Sequence, residues 1–140
     1  MTKYRFLQHT ADVKFQAFGK NLEEAFENAF YALKESICGK IKVKPVDSKI
    51  IRIKGNDLNS MLYDFLEEFL FLLDSEGFLL SSIKNIKIDD KKFILVAEVF
   101  GGKAKNCKFS NSVKAITYNE MFVKFDSKKK EWVVQVVVDV

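Results

Sequence analysis

Apolar residues recur between positions 22 and 37 at spacings of three and four: Leu22, Ala25, Phe26, Ala29, Phe30, Leu33 and Ile37. That period lays a single stripe along one face of a helix. Asn21 precedes it as an acceptor for a free N–H of the first turn, Glu24 holds the capping-box position, and Gly39 is a natural stop. A second stripe follows Asp57, its cap: Leu58, Met61, Leu62, Phe65, Leu66, Phe69, Leu70 and Leu73. Phe71 and Leu72 widen it, so this helix is expected to be buried on more than one side. Its polar face carries Asp64, Glu67 and Glu68, with no Lys or Arg from Asp57 to Glu76. Such a face is ordinarily solvated; the alternative is contact with a basic partner.

Elsewhere the pattern changes to β type. Residues 4–7 and 15–18 are short strands flanking the polar patch Gln8-His9-Thr10-Ala11-Asp12, and 48–54 alternates through Ile51 and Ile53. Everything after Gly77 reads as strand: 78–88, 93–100, 113–125 and 131–138, with turns at Asp89-Asp90-Lys91, Gly101-Gly102 and residues 126–130. Turns this short imply antiparallel hairpins. The predicted fold class is α+β, two main helices packed on mostly antiparallel β-sheet, in a single compact domain spanning residues 1–140.

Composition agrees. A chain of 140 residues, 48% hydrophobic and 30% charged, buries a core without staples, and 14 phenylalanines suit one packed with large rings. The first residues have no apolar core of a signal peptide, and the longest apolar run, Phe69 to Leu73, is too short to span a bilayer, so a cytoplasmic protein without a membrane association is expected. A net charge of +4 invites a nucleic-acid reading, yet the cations are nearly all Lys, with only Arg5 and Arg52. The densest run, Lys128-Lys129-Lys130, reads as a turn, and the lysines read mostly as solvated surface. Cys38 and Cys107 stand apart with one His in the chain, which excludes a zinc set and leaves two buried free thiols as the expectation.

No phosphate loop, dinucleotide fingerprint, nucleophile elbow or His-Glu-x-x-His is present. Two places stand out. His9-Thr10-Ala11-Asp12 clusters donors and acceptors between apolar strands. At the other end, Asp139 precedes Val140 and its α-carboxylate after an apolar strand, Trp132 to Val138. Two neighbouring carboxylates repel unless a cation stands between them; the plainer account ends the strand in water.

These same residues resemble the archease family. Its opening signature is intact as His9-Thr10-Ala11-Asp12, and the helix entry Gly19 to Phe26, Asp57-Leu58 with Leu62-Tyr63, and Asp74 to Phe78 follow in order. Val113-Lys114-Ala115-Ile116-Thr117-Tyr118 is similar to the second signature, and Val138-Asp139-Val140 to the ending. The likeness runs from end to end. It implies a metal site of oxygen ligands from Asp12, Asp139 and Val140, suited to Ca²⁺, Mg²⁺ or Mn²⁺ rather than zinc. Residues 12 and 139 must then meet, as an antiparallel pairing of the first and last strands allows.

The resemblance further implies a non-enzymatic accessory protein in tRNA splicing. It would promote guanylylation and multiple turnover of an RtcB-type RNA ligase, touching tRNA only through the ligase. Lys114 and His9 are its further candidates for contact with the site or the partner. Two positions depart from the family pattern. Lys14 stands where Gly is usual, bringing positive charge near Asp12, and Asn119 stands where His is common. Rival readings are an RNA-binding module using the Lys-rich half, residues 84–130, a metal-dependent hydrolase centred on Asp12 and Asp139, and chaperone-like assistance. RNA binding would be steeply salt-dependent in the isolated protein, and hydrolysis would disappear in Asp12→Asn.

Overall fold

A computed structural model describes residues 2–8, 12–40, 42–103 and 113–140. In chain order its elements are β1 (Tyr4–Leu7), β2 (Val13–Gly19), α1 (Leu22–Cys38), β3 (Asp47–Lys54), α2 (Leu58–Glu76), β4 (Phe78–Asp89), β5 (Ile94–Lys103), β6 (Ala115–Asp126) and β7 (Glu131–Asp139). The strands divide into two sheets, β1-β2-β7-β6 and β3-β5-β4, and every pairing is antiparallel. The α+β class and the two helices stand as expected. The division into two sheets was not legible, because pairing partners depend on contacts far apart in sequence.

The helices form for the local reasons foreseen. The Asn21 side chain accepts from the Glu24 N–H at 2.8 Å, although the Glu24 carboxylate returns to the Lys20 N–H rather than to Asn21. Asp57 makes the full reciprocal box with Ser60: Asp57 Oδ1 accepts from the Ser60 N–H at 2.7 Å and Ser60 Oγ from the Asp57 N–H at 3.1 Å. Gly39 and Gly77 end the two helices, both at positive φ. Phe26 meets Phe65, and Phe69 meets Phe30 and Phe65, with ring centroids 4.9–5.8 Å apart. This phenylalanine cluster joins α1 to α2, and each fully buried ring contributes about 1.5–3 kcal/mol. Among the described residues no helix is long and apolar enough to cross a membrane.

Three expectations fail. Gly101 and Gly102 are not a turn; β5 runs through them to Lys103, paired with Leu80 and Leu79 of β4, and they are glycines because a side chain at either would collide with the backbone of a neighbouring segment. Phe71 does not widen the buried stripe: it is 60% exposed while Leu72 is buried, although α2 does pack on more than one side, against α1 and strands of both sheets. Cys38 is buried and disulfide-bonded, not a free thiol, since separation along the chain says nothing about distance in the fold. Cys107 lies outside the described residues.

Candidate functional site

β7 explains the geometry of the C-terminal candidates. Its residues from Val134 to Val138 are all buried, on both faces, because the strand is central: β2 lies on one side and β6 on the other. The β2–β7 register pairs Gly19 with Trp132 at one end and Val13 with Val138 at the other. Asp12 directly precedes Val13 and Asp139 directly follows Val138, so both lie at this end of the ladder. On the far side Ala115 pairs with Asp139, and the Lys114 N–H donates to the Asp139 carbonyl oxygen at 2.8 Å. Three of the residues singled out from sequence, Asp12, Lys114 and Asp139, thus converge on one end of the four-stranded sheet. The strand that brings Asp12 there is the second, not the first; β1 is an edge strand outside it.

Asp139 and Lys114 are exposed, while Asp12 and Val140 are half-buried, with Val140 packed against the core. His9, with Thr10 and Ala11, lies outside the described residues. Lys14 does not fill a turn beside Asp12. It belongs to β2, and its ammonium pairs with Glu120 Oε1 at 3.1 Å. Glu120 lies at positive φ where the β6–β7 register breaks between Thr117 and Phe122, and that bulge turns its carboxylate toward Lys14. Asn119 is exposed in the same bulge, its N–H on Thr117 Oγ1 at 3.3 Å.

A polar chain crosses the sheet beneath this end. Arg5 donates twice to Gln16 Oε1, Gln16 Nε2 to Gln135 Oε1 at 2.9 Å, and Gln135 Nε2 to the Glu120 carbonyl at 2.8 Å. All four strands are tied by it, and the buried Gln135 amide is satisfied at both ends.

Helix α2 borders the site from the β6 side. Glu67 Oε2 accepts from the Ile116 N–H at 3.2 Å and Asn59 Nδ2 donates to the Met121 carbonyl at 3.4 Å, so the helix covers part of the open edge of β6. Part of the acidic face therefore serves the fold, whereas Asp64 remains exposed. Burial, and secondarily the neighbouring Glu76, push the Glu68 carboxyl up. Tyr118, read from sequence as an ordinary strand residue, stacks on Tyr63 with centroids 4.3 Å apart and planes within 6°. Burial and then the charge of Asp64 push its phenol up. Both tyrosines stood in quoted motifs, but nothing in either motif pairs a helix residue with a strand residue.

Chemically, Asp12 and Asp139 offer only oxygen donors. Among the described residues no three His, Cys, Asp or Glu side chains gather into a metal-holding group. The donor set fits a hard cation that keeps much of its water, and not a zinc ion that needs nitrogen or sulfur.

The Archease protein family (MTH1598/TM1083) matches residues 4–140. The protein archease of Sulfurisphaera tokodaii is 38% identical over 142 residues, and that of Pyrococcus furiosus 37% over 147, each alignment covering 100% of both chains. The solution structure of Methanobacterium thermoautotrophicum protein 1598 superposes with a TM-score of 0.85 at 31% identity, over 100% of both chains. The crystal structure of a Thermotoga maritima archease, described as a possible chaperone, gives 0.67 at 22% identity over 96% of this chain and 94% of that one, a likeness of fold. By family match, full-length relatives and fold together, this chain belongs to the archease family.

Proposed function

We propose that this protein is an accessory activator of an RtcB-type RNA ligase, raising its guanylylation and turnover in tRNA splicing, and that Asp12, Asp139 and Val140 act by holding a divalent cation. The observation that carries the reading is the β2–β7 register, which brings the two aspartates of separate motifs to one sheet end. Lys114, anchored through its backbone to Asp139, is the cationic member of the same constellation. A bound Ca²⁺, Mg²⁺ or Mn²⁺ would supply a Lewis acid for phosphate oxygens. The chain's own work is to carry two carboxylates to one end of the β2–β7 pair, where they can be presented to a partner. The ligation chemistry belongs to the ligase, and the protein's part is accessory rather than catalytic.

The test is GMP transfer to the cognate ligase, measured with wild type, Asp12→Ala and Asp139→Ala. Wild type should accelerate transfer, and each variant should lose at least about tenfold of the acceleration, about 1.4 kcal/mol, while melting within a few degrees of wild type. No acceleration of a competent ligase by wild type overturns the activator reading. Acceleration that survives in both variants removes the carboxylates from it and leaves chaperone-like assistance, which would act whatever stands at position 12.

A further inference from the structure

Two concavities adjoin beside the C-terminal end of α1 and share Lys42. The first, about 300 Å³, is lined by Lys3, Lys34, Lys40 and Lys42 with Tyr4 and Tyr31. The second, about 600 Å³, adds Lys44 and Lys103 around an apolar floor that includes Val43 and Leu79. Six lysines meet here from four separate parts of the chain: the approach to β1, α1, the connection after it, and the end of β5. Among the described lining residues the carboxylates are Glu35 and Asp47, so six positive charges face two negative ones.

Lys34 is the telling residue. Its side chain is half-buried, burial pulls its pKa down, and its ammonium donates to the Ser81 carbonyl at 3.2 Å, a neutral acceptor. Glu35, the nearest carboxylate in sequence, is engaged by the Tyr4 hydroxyl at 2.9 Å. Burial and that hydrogen bond push the Tyr4 phenol up to about 12, so it stays a donor at neutral pH. A cation held partly out of water is unfavourable by itself and becomes favourable when a phosphate enters. The lysines of residues 84–130 are arranged differently. Lys91, Lys92 and Lys128 to Lys130 sit in turns and Lys84, Lys87 and Lys124 on strands, and among the described lysines of that stretch Lys103 alone lines a cavity.

We propose that this lysine-lined trough binds the phosphodiester backbone of an RNA strand. Lysines are point charges without the planar fork that reads base edges, so binding is sequence-independent. The site is separate from the Asp12–Asp139 end of the sheet and stands or falls independently of the ligase reading.

Binding of a fluorescein-labelled, unstructured 30-nucleotide RNA is measured between 50 and 200 mM salt. The proteins are wild type, Lys34→Gln/Lys40→Gln/Lys42→Gln, and a charge-matched control, Lys87→Gln/Lys124→Gln/Lys128→Gln. The trough variant should weaken binding at least about tenfold and flatten the log–log salt slope by about 2, the loss expected for three single-strand phosphate contacts. The control should stay within about twofold. Should the Lys34 change disturb folding, Lys40→Glu/Lys42→Glu, both on the exposed connection, must give the same loss. Absence of RNA binding by wild type at 50 mM salt overturns the proposal, as do equal losses in trough and control variants. Binding to phosphatidylserine-containing vesicles in place of RNA overturns it too and assigns the trough to a lipid surface.

Discussion

A methyl group at position 101 would meet the Leu79 carbonyl oxygen and lie 2.6 Å from Cζ of Phe78. That carbonyl is held in the β4–β5 pairing and cannot retreat without breaking it. Gly101→Ala should therefore cost about 1–3 kcal/mol by overpacking and lower the melting temperature by several degrees. Gly77→Ala is the informative contrast: nothing lies within 4 Å of the added carbon, and only its φ of 62° resists. Its cost should stay near 1 kcal/mol, and thermal melts of the two variants read the difference. Equal shifts would mean that the strands yield at Gly101 for only about 1 kcal/mol. The same close approach explains why a pair of adjacent glycines here is strand, where the local pattern predicts a turn.

At the scale of elements, α2 depends on its first turn and on what lies beside it. Asp57 and Ser60 satisfy one another's backbone N–H groups, so Asp57→Ala leaves orphan donors at the helix start. Urea unfolding should show a loss of about 1 kcal/mol with an unchanged slope; a change under a few tenths would show that solvent replaces the box. The helix is more than a core element. Its Glu67 and Asn59 bond to β6, and Tyr63 stacks on Tyr118, so part of the sheet's edge on this side is covered. A periodicity argument places Glu67 on a polar face but does not distinguish water from a strand N–H as its partner.

For the molecule as a whole, the decisive pairing joins β2, near the start of the sequence, to β7 at its end. If Asp12 and Asp139 share a cation, binding favours the folded chain alone, since unfolding separates the ligands. Wild type in 10 mM CaCl₂ or MnCl₂ should then melt higher than in EDTA by a few degrees, corresponding to about 2.7 kcal/mol at a hundredfold excess over Kd. Asp12→Asn/Asp139→Asn should show no such shift. Equal cation effects on both proteins would remove the metal from the reading without touching the fold.

The amino-acid sequence by itself determined both helices with their caps, the strand segments to within a few residues, and the phenylalanine-rich core. Those follow from short-range rules: the 3.6-residue period, the reach of a capping side chain, the stop imposed by Gly39 and Gly77. Its motifs also carried the family resemblance and marked Asp12, Lys114 and Asp139. Only the tertiary structure decided that the strands make two sheets, that Lys14 answers Glu120 rather than Asp12, and that Cys38 is bonded. It alone gathered six scattered lysines around two adjoining concavities. Each of these is a contact between residues distant along the chain, chosen by how whole elements pack, and no local period encodes it.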